Sequence, residues 1–395
     1  METGINNKLE SITNSLGLVI PEIILSAGIL LLIFTSLFTR AKRNNLIAWL
    51  TLLLFTVTLS HTILNWTFGS PVNFFDGTIR KEDFASIFKI LIDTAGILAV
   101  AMSIPNEELK ESRFRSEYFI LIASAVLGAH LLTMTTNFIM IFLSLELLSI
   151  ASYVLAGYSD TKKGAEGSLK YFLFGSVASA VMLYGFSVLF GLTGTLDFSS
   201  TTFFDRLIDN QSPLILVAGL MSLAGFMYKI AAAPMHPWAP DVYEAAPMPV
   251  VAFLSVVPKL AGIAILTRFT VALHLFGQSD FNWQIILGIV AILSILIGNL
   301  SALWQNNPKR MMAYSSIAQT GFLLVGVVCF SNQGIQFMLF YASVYLLANM
   351  AVFSCLQAAE KNGVNTIESF AGWGKSNVLI SVILLLGFIS LTGIP

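Results

Sequence analysis

Residues 213–250 read PLILVAGLMSLAGFMYKIAAAPMHPWAPDVYEAAPMPV. The stretch starts as an apolar helix and then sets out Lys229, Pro234, His236, Pro237, Pro240, Asp241, Glu244, Pro247 and Pro249. A proline inside a helix removes a backbone donor and clashes with the preceding turn, so the helix breaks near Pro234. A lysine within an apolar helix is costly in lipid, and so is a broken helix. Both are tolerated together where backbone and side chain line a wet cavity within protein. The stretch therefore predicts a polytopic membrane protein with a broken helix near 229–240.

The rest of the chain agrees. Of 395 residues, 56% are hydrophobic and 11% charged, against roughly 25% charged in soluble domains. A net charge of -1 argues against nucleic acid as a partner. Cys329 and Cys355 lie in apolar runs without metal or redox spacing and read as buried thiols. No P-loop and no GxGxxG is present, so no nucleotide site is expected. The first apolar run, LVIPEIILSAGILLLIFTSLF, is too long for a signal-peptide core and reads as a retained span.

At roughly 20 apolar residues per crossing, about eleven spans are expected. Their centres fall near residues 28, 56, 95, 125, 147, 180, 222, 260, 293, 320 and 346, and a twelfth begins near Val378. The fold class is thus an all-α polytopic membrane protein. Loop charges alternate. Arg40, Lys42 and Arg43, then Lys110, Arg113 and Arg115, then Lys162 and Lys163, Lys309 and Arg310, and Lys361 and Lys375 follow the odd-numbered spans. The other loops carry Arg80, Lys81 and Arg206. The positive-inside rule then sets the N-terminus outside and the broken helix towards the cytoplasm. The segments EKNGVNTIESFAGWGKSN and TGTLDFSSTTFFDRLIDNQS are long enough for short surface helices.

Ionisable residues inside spans are functional candidates. Glu146, in NFIMIFLSLELLSIASYVLAGY, lies about ten residues into its span, or roughly 15 Å. Lys229 is deep in span seven, and a nearby carboxylate would balance the effect of its burial. Lys259 is about ten residues into span eight, beside Pro258. His236, at the break, is able to relay a proton between the two lysines. Lys170 opens span six, where it either snorkels or pairs with Glu146. Lys89 and Asp93 stand at i,i+4 and would neutralise each other. His130, His274 and His61 read as structural, and Arg268 sits towards the outer end of span eight. A carboxylate, two lysines and a histidine on neighbouring helices read as a proton relay, or else as a solute site built on the same broken helix.

The run KIAAAPMHPWAPDVYEAAPMPV resembles the signature of the antiporter-like subunits of respiratory complex I and of multisubunit cation/proton antiporters. LELLSIASYVLAGY, GNLSALWQNNPKRMMAYSSIAQTGF and SLTGIP agree in order and spacing, so the resemblance covers the chain from about residue 15. The form DVYEAAPMPV, with Tyr243, looks most like the N-type branch of NADH-quinone oxidoreductase, subunit 2 in mitochondria. The resemblance implies two inverted five-helix half-channels beside accessory helices. Residues 1–115 would be three accessory spans, 116–275 the first half-channel and 276–395 a second, incomplete one. It also places Glu146, Lys229, Lys259 and His236 on family positions of a proton path.

Two departures are expected to matter. Relatives continue past the GIP at Pro395 with further spans and a second broken-helix lysine, so proton exit would need residues this chain lacks. Gln319 stands where several relatives carry histidine, so a relay there would lean on Ser315, Ser316 or water.

The implied function is proton translocation in a bacterial-type NADH:quinone oxidoreductase of the inner membrane, driven by a charge change in a neighbouring antiporter-like subunit. NADH, flavin, iron–sulfur clusters and quinone would belong to other subunits, with no cofactor or metal in this chain. The rival readings are a cation/proton antiporter subunit and a structural assembly subunit.

Overall fold

The computed structural model describes residues 15–38, 45–66, 72–75, 78–159, 161–209, 212–276 and 282–393. The basic loop of Arg40, Lys42 and Arg43 lies outside the described residues, as do the first fourteen residues and the terminal Ile394 and Pro395. The elements run α1 (Ile20–Phe38), α2 (Leu46–Leu64), β1 (Val72–Phe74), β2 (Ile79–Lys81), α3 (Asp83–Ser103), α4 (Glu107–Glu111), α5 (Arg115–Met134) and α6 (Phe138–Ala156). They continue with α7 (Lys162–Thr193), α8 (Thr201–Asp209), α9 (Leu214–Lys229), α10 (Trp238–Ala245), α11 (Met248–Phe276) and α12 (Trp283–Ala302). After these come α13 (Pro308–Val328), α14 (Asn332–Lys361), a 3₁₀ turn at Glu368–Phe370, α15 (Trp373–Ser376) and α16 (Val378–Leu391).

Among the described residues, 10 helices are long and apolar enough to cross a membrane, and α9 and α16 are shorter apolar helices. Together these twelve coincide with the twelve expected span positions. Both long connecting segments hold surface helices, α8 in one and α15 in the other. The strands form a hairpin, β1 antiparallel to β2, with Val72 opposite Lys81 and Phe74 opposite Ile79. Ile79 also bridges to Thr135 at the end of α5, which fastens the hairpin to that end of the bundle.

Local sequence fixes where the helices start. Asn137, Thr161, Asn282, Asn307 and Ser331 each accept a backbone N–H of the first turn of α6, α7, α12, α13 and α14. A polar cap satisfies donors that would otherwise have no partner. Pro308, at the first position of α13, has no N–H to satisfy. Outward faces are apolar. On α12, Ile285, Ile289, Ile292, Leu296 and Leu300 form one exposed stripe, as a lipid-facing helix requires.

Small residues bring helices close. An ideal Cβ on Gly185 of α7 would stand 2.7 Å from the Ala218 carbonyl of α9, and one on Gly298 of α12 would stand 2.5 Å from the Ala318 amide of α13. Such approaches are how packing drives association in lipid. The centre of the molecule is α11, whose apolar window is 100% buried. It packs against α3, α5, α6, α9, α12, α13 and α14. Two expectations about side chains change. Cys355 is buried, but Cys329 is exposed beyond the end of α13. Arg268 is not a simple interfacial residue, because it reaches Glu82 at 2.5 Å and donates to the Thr133 carbonyl at 2.8 Å.

Candidate functional site

Lys229 is the last residue of α9 and is 1% exposed. Its Nζ donates to Ser149 Oγ of α6 at 3.0 Å and lies 5.9 Å from the Tyr171 ring centroid of α7. It does not snorkel. Glu146 stands three residues before Ser149, on the same side of α6, and lies within electrostatic reach of Lys229. Glu146 itself is half-buried.

Immediately past Lys229 the helix ends. Ala231 takes φ 54°, a left-handed conformation that a residue with a Cβ rarely adopts, and the Ala233–Pro234 peptide is cis. The backbone groups freed by the break are taken by side chains of other elements. Thr320 Oγ1 of α13 is 3.0 Å from the Ile230 carbonyl, the Ala233 amide donates to Ser294 Oγ of α12 at 2.9 Å, and Trp238 Nε1 donates to the Tyr228 carbonyl at 3.1 Å. An unpaired backbone group inside a membrane protein costs several kcal/mol, roughly, so these contacts are what make the break stable.

Lys259, on α11, is also 1% exposed. Its ammonium fills all three donor positions, to the Ser316 carbonyl at 2.7 Å, Ser316 Oγ at 3.0 Å and Thr320 Oγ1 at 3.0 Å. No carboxylate pairs with it among the described residues. Thr320 thus touches Lys259 on one side and, on the other, the carbonyl of the residue after Lys229. Ser316 Oγ extends the chain to Tyr243 Oη of α10 at 3.3 Å. One turn before Lys259, Ser255 accepts Asn349 Nδ2 at 2.5 Å on its hydroxyl and Tyr345 Oη at 2.8 Å on its carbonyl. The polar row therefore runs from α6 through α9, α13 and α11 to α14.

The other expected residues fall differently. Among the described residues, no hydrogen bond or ion pair joins His236 to either lysine, and its Nδ1 is buried without a partner. Ser316 belongs to the row, whereas no hydrogen bond links Ser315 to Lys259. Gln319 donates to the Leu391 carbonyl at 2.7 Å and accepts from Tyr341 Oη, so it ties α13 to α16 and α14. Lys170 does not pair with Glu146. It binds Asp241 at 3.0 Å and Glu166 at 2.8 Å, because α10 lies nearer to that turn of α7. Arg310 closes the same cluster on Asp241 at 2.8 Å and Glu244 at 3.0 Å, and Lys163 reaches Glu244 at 3.2 Å. Nor do Lys89 and Asp93 neutralise each other. Lys89 pairs with Glu22 at 2.7 Å, and Asp93 meets His130, which is therefore not a lone histidine. His274 is structural, stacked on Phe330 with ring centroids 4.1 Å apart.

The family described as "NADH:quinone oxidoreductase/Mrp antiporter, TM" matches residues 135–395, a stretch that contains every member of the polar row. The chain belongs to this family. Among antiporter-like relatives, NADH-quinone oxidoreductase subunit N 2 of Chloroherpeton thalassium is 38% identical over 95% of this chain and 75% of its own length. A chain of respiratory complex I from Thermus thermophilus with bound aureothin superposes with a TM-score of 0.77 at 28% identity, covering 95% of this chain and 79% of that one. A chain of the membrane-bound sulfane sulfur reductase, an archaeal respiratory membrane complex, superposes at 0.82 with 25% identity over 95% and 78%. This antiporter-like chain thus spans about three quarters of the curated relative. Within the polar row, Ser149, Thr320 and Asn349 escaped sequence reading. Hydroxyls and amides in apolar helices give no signal until a lysine from another helix is seen against them.

Proposed function

We propose that this chain is a proton-translocating membrane subunit of an NADH:quinone oxidoreductase and performs no redox chemistry itself. The observation that carries the reading is the link between the two buried lysines. Lys229 and Lys259 lie on facing helices, and Thr320 contacts both Lys259 and the broken backbone beside Lys229. A proton enters at the cluster of Lys170, Asp241, Glu244 and Arg310, reaches Glu146 and Lys229, and crosses by Thr320 and Ser316 to Lys259. His236 stands beside the break as a side branch of this route. The hydroxyls of Ser149, Ser316 and Thr320 receive the two buried ammonium groups, and Glu146 lies within electrostatic reach of Lys229.

The arrangement fits residues 1–115 as accessory helices, 116–275 as one half-channel and 276–395 as part of a second. The proposed setting is a bacterial inner membrane with the N-terminus outside, and electron carriers in other subunits. Glu146 supports a neighbouring subunit. It stands at the edge of the outward face of α6, between buried Ser149 and the exposed Ile139, Leu143, Ile150 and Val154. A carboxylate on a lipid-facing stripe costs roughly 2.5–3.5 kcal/mol at mid-membrane, so a protein partner suits this face better.

The test is Lys229→Ala in the whole complex reconstituted in vesicles, with proton pumping scored against electron transfer and subunit content. Pumping is expected to be lost while assembly and uncoupled electron transfer persist. Normal pumping would sink the route, and sodium-dependent flux without quinone would favour a cation/proton antiporter. Failed assembly would favour a structural role.

A further inference from the structure

A second set of buried charges lies among α1, α3 and α5, away from the row just described. Glu22 and Lys89 are each 5% exposed, and Asp93 and His130 are fully buried. His130 Nδ1 is 3.2 Å from Glu22 Oε1, and His130 Nε2 is 3.1 Å from Asp93 Oδ1. Lys89 Nζ sits on the same Glu22 oxygen at 2.7 Å. Glu22 and Asp93 face the ring directly, and the Lys89 ammonium reaches it through the shared Glu22 oxygen. On the same helix as His130, the Thr133 carbonyl is reached by Arg268, which is paired with Glu82.

The chemistry of an imidazole between two carboxylates is restrictive. A neutral ring carries one N–H, so one of its nitrogens must face an anionic oxygen with a lone pair. The arrangement is comfortable only when one more proton is present, on the ring or on a carboxylate. That proton has three resting places in a row. Glu22 Oε2 and both Asp93 oxygens are buried without a hydrogen-bond partner, so the cluster has unused acceptor capacity. The 3.1 Å approach of Nε2 to Asp93 is an ion-pair distance whose angle falls short of a hydrogen bond.

The residues also lie in a useful order along the membrane. Asp93 is about ten residues, roughly 15 Å, into α3. Glu22 is in the first turn of α1, and His130 lies in the last turns of α5. Both of those ends are on the hairpin side, where Ile79 bridges to Thr135.

We propose that Asp93, His130 and Glu22, with Lys89 as counter-charge, form a second proton relay that connects the interior of α3 with the hairpin face. In the forward step the Asp93 O–H bond breaks and an Nε2–H bond forms, while the Nδ1–H bond breaks and a Glu22 O–H bond forms. The net result is one proton passed from Asp93 to Glu22, with the ring changed from the Nδ1–H to the Nε2–H tautomer. Apolar side chains of similar volume would hold three helices together without desolvating four ionisable groups. The relay rests on the reading of the chain as a proton-translocating subunit, and its residues are separate from that route.

The experiment compares His130→Gln with Lys229→Ala in the assembled, vesicle-reconstituted complex. Glutamine keeps an acceptor and a donor for the two carboxylates but cannot pass a proton. Proton uptake per electron in H130Q is expected to fall about tenfold or more, with subunit content and uncoupled electron transfer unchanged. If H130Q pumps normally while Lys229→Ala does not, the relay is overturned and the main route stands. If H130Q loses pumping and Lys229→Ala keeps it, the relay stands and the main route fails. Should H130Q not assemble, the paired Glu22→Gln/Lys89→Gln variant decides. It removes one positive and one negative charge together, and normal pumping in it overturns the relay.

Discussion

Thr320 stands between Lys259 and the broken backbone that follows Lys229. Its hydroxyl is within hydrogen-bond distance of Lys259 Nζ, the Ile230 carbonyl and the Ser316 carbonyl. Thr320→Val keeps the shape and leaves a buried ammonium and a buried carbonyl each short of a partner. The expected cost is about 1–3 kcal/mol of stability, read as a lower melting temperature of the complex, together with reduced pumping. Thr320→Ser should restore both, and a silent Thr320→Val would remove Thr320 from the path. Lys229 and Lys259 were legible in the sequence because an ionisable side chain stands out in an apolar run, where its insertion is costly. Thr320 was not, because a threonine in a helix ordinarily bonds its own preceding turn, and Thr320 does that as well. The i,i+4 spacing of Lys89 and Asp93 misled for a related reason. That rule describes an isolated helix, and here α1 and α5 supply nearer partners, Glu22 and His130.

At the scale of elements, the break is held shut by α10. This helix of eight residues packs against α7 and α13 and is clamped by Lys163, Lys170 and Arg310. Burial pushes the Asp241 carboxyl up, but Lys170 and Arg310 outweigh it and hold the group below the ordinary carboxylate range. A depressed carboxylate contributes stability that is complete above its unfolded value of about 3.9 and is lost as pH falls through the lower folded value. Asp241→Asn should therefore lower the melting temperature at neutral pH, and the difference from wild type should shrink below about pH 4. A gap that stays constant from pH 7 to acid would show that the charge of Asp241 is not what holds α10. The positions of the spans and of the break were readable from apolar length and proline placement. The clamp was not, because its partners lie 69 and 71 residues away along the chain, and nothing local says which turn of α7 or α13 will face α10.

At the scale of the molecule, two kinds of outer surface stand apart. The stripe on α12 is wholly apolar, whereas the stripe on α6 has Glu146 at its edge. In the intact complex, a cysteine at Leu143 should be shielded from a lipid-phase label and should cross-link to a neighbouring membrane subunit. A cysteine at Ile289 should be labelled instead. Equal labelling of both would mean that the α6 face meets lipid.

The burial of α11 has a further consequence, for how the protein is made. The chain is synthesised from its N-terminus, so Lys259 emerges 57 residues before Ser316, whose carbonyl and hydroxyl receive its ammonium. At about 5–20 residues per second this is an interval of roughly 3 to 11 seconds. During it the most enclosed helix of the finished subunit has a charged side chain and no α13. The insertion machinery, or the earlier helices α3, α5 and α9, must shelter that lysine until its acceptors arrive, so the central helix gains its final polar contacts only after α13 is made.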